Sequence, residues 1–191
     1  STYMQFIPIV ERHAQTQSVA DFSVPSEGYG QFLVDVFHEW YAHDVGKIYV
    51  SQFDNLLGQW LGYPSTTCVH QPTCGQSLVA EANGDVYACD HFVYPEYKVG
   101  NLTQQSLTEI VLSSKQQQFG LEKSQKLTAL CRRCEFRKLC YGGCPKHRFI
   151  SLENEPNPHN YLCASYRYFF EQTAPYMQAM ARQIRLHPSA A

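Results

Sequence analysis

The sequence predicts an α+β chain: a strand–helix–strand unit first, then a β-hairpin, helices and cysteine-rich metal-binding loops. Three observations predict this. A nearly continuous apolar run from Tyr3 to Val10 is followed by helical spacing at Phe32, Leu33, Val36, Phe37 and Trp40, then by the short run Ile48–Val50. Asn83-Gly84 lies between Leu78–Ala80 and Val86–Ala88, the strongest short-range hairpin signal. Eight cysteines are present, four of them between Cys131 and Pro145 in the pattern C-x2-C-x5-C-x3-C-P.

Each element has its own reason. A strand apolar along its whole length suits a parallel sheet buried on both faces, so Tyr3 to Val10 is expected to be such a strand. The polar stretch Glu11 to Glu27 is a loop. A helix is predicted over Tyr29 to His43, with Ser26 as N-cap and Gly46 as its stop. A second helix runs from Gln52 to Leu61 and ends at Gly62-Tyr63-Pro64. The composition changes there. Cys68 and Cys74 flank a proline-containing loop, and the second hairpin strand delivers Cys89-Asp90-His91. Tyr94 to Tyr97 is turn-like, and a helix starts near Ser106 with Leu107, Ile110 and Val111 inward. Cys163 opens a C-terminal helix bearing Tyr166, Phe169, Phe170, Met177, Met180 and Ile184, which Pro175 is expected to kink or divide.

Composition narrows the function. The 191 residues carry a formal charge of −2, and 44% of them are hydrophobic. That is enough apolar material for a core without disulfide staples. Near-neutral charge gives no support for a nucleic-acid or membrane-surface partner. No apolar run approaches the roughly 20 residues of a membrane span. Without an export signal, the thiols are expected in a reducing, cytoplasmic compartment, free to bind metal rather than to pair. Arg132, Arg133, Arg137, Lys138, Lys146 and Arg148 cluster among the cysteines. A solvated loop face is the ordinary explanation for such a cluster, and a cradle for an anionic cluster or partner is the sharper one.

The cysteines divide into two four-thiolate sets. In two-cluster ferredoxins the cysteine before proline ligates the other cluster, and Cys144-Pro145 follows Cys140 by the same three-residue gap. Gly142-Gly143 permits the sharp backbone needed to aim neighbouring thiolates apart. Cys68, Cys74, Cys89 and Cys144 are therefore assigned to one centre, and Cys131, Cys134, Cys140 and Cys163 to a second. Thiolates suit iron–sulfur clusters or zinc. Zinc ribbons pair two short C-x2-C knuckles, and Cys131-x2-Cys134 is one knuckle alone, so 4Fe–4S clusters fit better.

Cys68-x5-Cys74-x14-Cys89-Asp90, with Cys131-x2-Cys134-x5-Cys140-x3-Cys144 and Cys163, resembles the SPASM domain of radical S-adenosylmethionine enzymes, most of all the anaerobic sulfatase-maturating enzymes. Gln5 to Glu11 is similar to the last strand of that family's partial (β/α)6 barrel. The resemblance implies a barrel remnant over 1–63 and a SPASM domain over 64–191. It implies two auxiliary 4Fe–4S clusters here, with S-adenosylmethionine and a third cluster bound by an N-terminal part. The implied reaction oxidises a cysteine or serine of a sulfatase polypeptide to Cα-formylglycine without oxygen. A 5′-deoxyadenosyl radical removes a Cβ hydrogen, and an external electron donor supports SAM cleavage. Asp90 occupies the position of the family's proposed base, and a carboxylate beside an anionic cluster is expected to ionise less readily. The ordinary alternative for Asp90 is a turn residue ending the hairpin strand.

The family's SAM-cluster motif, C-x3-C-x2-C, does not occur in this sequence. The chain also opens on Ser1 and at once on a strand. It is therefore expected to be the C-terminal part of a longer enzyme, inactive and weakly stable alone. Two other readings stand beside this one: the SPASM domain of a different peptide-modifying radical SAM enzyme, and a zinc-binding interaction module.

Overall fold

The computed structural model describes residues 1–187. In chain order the helices and strands are β1 Tyr3–Met4, α1 Gly28–His43, β2 Tyr49–Val50, α2 Ser51–Leu61, β3 Val79–Ala80, β4 Asp85–Tyr87, β5 Lys98–Asn101, α3 Leu107–Val111, α4 Ser114–Gln125, α5 Ala129–Arg133, α6 Arg137–Cys140, β6 Arg148–Ile150, β7 His159–Asn160 and α7 Cys163–Leu186. The fold is α+β, as expected. It forms two compact units: Ser1–Thr67 with the segment from Tyr161 onward, and Cys68–Asn160. By packing alone the units are cut differently from the sequence segments 1–63 and 64–191, because α7 packs against α1 and α2. The last four residues of the second segment lie outside the described residues.

The first unit is built on apolar burial. β1 and β2 pair in parallel, Tyr3 with Tyr49 and Met4 with Val50, and α1 connects them, giving the expected strand–helix–strand unit. The strand is much shorter than the apolar run promised. Tyr3, Ile7 and Ile9 are exposed, and Val10 alone reaches the core. From Phe6 onward the backbone bonds irregularly. The Tyr29 hydroxyl donates to the Phe6 carbonyl at 2.7 Å, and Val24 N–H donates to the Ile9 carbonyl at 2.9 Å. These partners take the place of a ladder, and every buried backbone group needs one partner or the other.

The helices α1, α2 and α7 meet through Phe37, Phe53, Phe169 and Phe170, all but fully buried. Phe37 lies edge-on to Phe53, with ring centres 5.3 Å apart. Edge-to-face stacking suits the charge distribution of aromatic rings. Gly30 lets α1 approach α7: a Cβ there would come within 2.6 Å of the Ser165 backbone. At the same point Gly30 N–H donates to Ser165 Oγ, which donates in turn to the Ser26 carbonyl. Ser26 is thus not the N-cap; Glu27 stands there without a side-chain cap bond. Nor is α7 divided. It runs unbroken with Pro175 inside it, buried by Phe169, Phe170, Met177 and Met180 along one face.

The second unit holds the three-stranded antiparallel sheet β3-β4-β5 and the β6–β7 pair. Gly84 supplies the positive φ of 84° that the predicted hairpin turn requires. Strand β5 was not foreseen; Lys98–Asn101 carries a central glycine and little β-branching, so its sequence is a weak strand signal. The helix expected near Ser106 is two. Ser106 caps α3 with a capping box to Glu109, and Ser113 caps α4.

Candidate metal centre

Short elements carry the cysteines, and polar groups hold them. Cys68 opens a 3₁₀ turn over Cys68–His70. Cys74 N–H donates to the Gly120 carbonyl at 3.3 Å. Gln116 Nε2 joins the loop after Cys74 to the hairpin strand before Cys89, donating to the Gly75 carbonyl at 2.6 Å and the Ala88 carbonyl at 3.2 Å. Thr128 caps α5 and holds Cys131 N–H at 3.2 Å.

The turn between Cys140 and Cys144 carries three positive-φ residues in a row. Tyr141, Gly142 and Gly143 adopt φ of 47°, 73° and 62° in succession. A side chain on Gly142 would come within 2.6 Å of Leu127. Tyr141 pays the strain a non-glycine residue carries there. The turn is fixed by Arg148, whose guanidinium donates to the carbonyls of Tyr141, Gly142, Gly143 and Lys123 at 2.7–3.3 Å. Asn160 Nδ2 adds bonds to the Gly142 and Cys144 carbonyls. The turn has the positive-φ backbone that Gly142-Gly143 permits.

The charges of Cys144 and Cys68 bear on Cys74, and that of Cys144 bears on Cys89. Burial pushes the Cys74 thiol up to about 11 and the Cys89 thiol up to about 12, and it raises Cys144 as well. Such thiols keep their protons unless a metal displaces them. Of the second set, Cys131 and Cys140 both act on Arg148. Cys134 caps α5, and Cys163 opens α7, which belongs to the first compact unit. All eight are free cysteines.

The candidate donors are all thiols, which suits iron–sulfur chemistry. Among the described residues, no group of three or more His, Cys, Asp or Glu side chains is placed to hold a single metal ion. A cubane takes its four thiolates on separate irons, so they stand wider apart than four ligands on one zinc. Imidazoles complete the surroundings. His91 Nδ1 lies 3.9 Å from Cys144 Sγ, and His159 Nδ1 lies 3.7 Å from Cys131 Sγ. Such contacts beyond the ligands tune a metal centre.

Asp90 sits beside this set and is exposed. The Cys89 thiol donates to its Oδ1 at 3.1 Å. That bond, first of all, holds the Asp90 carboxyl below its ordinary range, the opposite of the direction expected from the sequence. The cause is a proton that a ligating Cys89 does not carry. His91 N–H also donates to Asp90 Oδ1, at 3.0 Å.

Sequence reasoning missed Lys123. It is 1% exposed, and its ammonium donates to the carbonyls of Cys68 and Val69. Burial lowers it to about 8, while Cys74, Cys144 and Cys68 pull the other way. Helix α4 is polar around most of its circumference, so a lysine there reads as solvated. Of the basic residues noted among the cysteines, Arg148 is drawn inward, whereas Arg132, Arg133, Arg137 and Lys138 are exposed.

Residues 68–135 match the SPASM family, an iron–sulfur cluster-binding domain. A serine-type anaerobic sulfatase-maturating enzyme of Bacteroides thetaiotaomicron is 43% identical over 95% of this chain and 47% of its own length. A cysteine-type enzyme of Clostridium perfringens is 30% identical over 96% of this chain and 50% of its own. The chain thus spans about half the length of the curated relatives it matches. The solved structure of native anSMEcpe with bound AdoMet and the Cp18Cys peptide superposes with a TM-score of 0.81, at 30% identity, over 96% of this chain and 51% of that one.

Proposed function

The chain carries a SPASM iron–sulfur cluster-binding domain and is homologous over nearly its whole length to anaerobic sulfatase-maturating enzymes, and from this premise we propose that it is the auxiliary-cluster part of such an enzyme. Cys68, Cys74, Cys89 and Cys144 hold one 4Fe–4S cluster. Cys131, Cys134, Cys140 and Cys163 hold the second, as the cysteine arithmetic assigns. S-adenosylmethionine and a third cluster are bound by a part of the protein with the C-x3-C-x2-C motif that this sequence lacks. The substrate is a sulfatase polypeptide, whose cysteine or serine becomes Cα-formylglycine in the cytoplasm, with an external reductant. When bound, the auxiliary clusters supply an acceptor for the electron released in that oxidation.

The observation that supports this reading is the contact of the Cys89 thiol with the exposed Asp90 carboxylate at 3.1 Å, inside the matched iron–sulfur domain. Once Cys89 gives up its proton to bind metal, Asp90 loses the donor it has here. Its carboxylate is then free to accept the proton of a substrate thiol or hydroxyl, with Oδ1 still oriented by His91 N–H. No helix among the described residues is long and apolar enough to cross a membrane.

The test uses the full-length enzyme with S-adenosylmethionine, a reductant and sulfatase-motif peptides bearing cysteine or serine. Mass spectrometry should show the change to formylglycine. Asp90→Asn should keep the iron content and lose that product. Undiminished turnover by Asp90→Asn would remove Asp90 from the mechanism. A colourless protein carrying zinc, prepared without oxygen, would remove the clusters.

A further inference from the structure

We propose that Lys123 is a built-in countercharge that sets the reduction potential of the cluster held by Cys68, Cys74, Cys89 and Cys144. The inference rests on the reading that these thiols hold a cluster. Lysine is almost never fully buried unless it is paired, and Lys123 is 1% exposed. Among the described residues no carboxylate pairs with it. Its two hydrogen-bond partners are neutral carbonyls, those of Cys68 and Val69. One of those carbonyls belongs to Cys68 itself, and the groups that would carry negative charge near Lys123, once deprotonated by a metal, are Cys74, Cys144 and Cys68, three members of one set. A buried ammonium without an anion is costly. An anion held among these cysteines completes the pair, and a thiolate-ligated cluster is such an anion.

The consequence is electrostatic. Reduction adds one negative charge to a cluster. A fixed cation in a buried, low-dielectric site favours that more negative form and raises the potential. Arg148 also faces thiolates, but those of both sets, Cys131 and Cys140 as well as Cys144 and Cys74. It therefore cannot distinguish the two centres, and its removal would release the three carbonyls of the Cys140–Cys144 turn and that of Lys123. Lys123 acts on one set and grips only the turn at Cys68. It is a positioning residue for charge, not a ligand.

The experiment is a redox titration of the anaerobically cluster-loaded protein, followed by electron paramagnetic resonance, for the wild type, Lys123→Met and Lys123→Arg. Lys123→Met should shift the midpoint of the first centre to lower potential and leave that of the second in place. Lys123→Arg should keep the wild-type midpoint. An unchanged midpoint in Lys123→Met with full iron content overturns the proposal. If Lys123→Met loses the first cluster while Lys123→Arg keeps it, the charge is required and the proposal stands. If both variants lose it, the residue matters for packing and the proposal fails. Wild-type protein that binds no iron overturns the cluster reading itself, and the countercharge with it.

Discussion

The two compact units bury different chemistry. The first, residues 1–67 with α7, buries mainly rings and methyls, Phe37, Trp40, Phe53, Phe169, Phe170 and Met177, with the small polar residues Asn55, Ser65, Ser165 and Thr173 among them. The second, residues 68–160, buries Val86, Ala88, Ile110 and Leu127 beside Gln116, Lys123, Thr128, His147, His159 and Asn160. Apolar burial stabilises by area and needs no partner. Polar burial stabilises only when every group finds one. In the second unit a short supply of apolar surface is joined to unpaired polar atoms, such as His147 Nδ1 and Gln116 Oε1. A unit built this way leans on whatever its cysteines hold, because metal binding free energy becomes folding free energy when the ligands come from separate elements.

The two units should differ most when metal is removed. Chelating the iron anaerobically should strip hydrogen-exchange protection from β3, β4 and β5, while α1, α2 and α7 keep theirs. Uniform loss across both units would show that the first unit also depends on the metal, and uniform retention would show that polar packing suffices in the second.

The same contrast explains what the sequence revealed. In the first unit, α1 and α2 were legible because burial writes itself as period: Leu33, Phe37 and Trp40 return every third or fourth residue. The run from Tyr3 to Val10 misled, because apolar composition does not say whether a ladder partner exists. Pro175 does not divide the helix, since side-chain burial around it outweighs one lost hydrogen bond. In the second unit the hairpin was legible from Asn83-Gly84. Lys123 and Arg148 were not, because a buried cation has the same letter as a solvated one. Its partners are backbone carbonyls and distant thiols, which no local pattern encodes.

A deletion at the centre of the first unit should cost about 3–5 kcal/mol, the usual range for a large aromatic cut to alanine in a core. Phe37→Ala is that change. Phe37 is fully buried and its ring meets those of Trp40, Phe53 and Phe169. Denaturant titration of the iron-loaded protein should place the loss in the transition reported by Trp40, with iron content unchanged. A variant that also releases iron would sharpen the comparison in the other direction, by showing that the aromatic core supports the cysteines.

Ser106→Ala probes how much local signalling alone contributes in the polar unit. Ser106 Oγ accepts from Glu109 N–H at 3.3 Å, and Glu109 Oε2 accepts from Ser106 N–H at 2.8 Å, so two orphan donors of α3 are satisfied reciprocally. Losing a cap of this kind costs about 1 kcal/mol. The cap is exposed and far in sequence from every cysteine, and α3 contributes one deeply buried side chain, Ile110. The expected result is a loss near that figure in iron-loaded protein, read from denaturant midpoints, with no change in cluster absorption. A loss several times larger would mean that α3 carries the sheet edge at Gly100, where Ile110 lies within 2.7 Å of the site a Cβ would fill. In that case the polar unit would owe its stability to local helix signals as well as to metal, and the contrast with the aromatic unit would narrow.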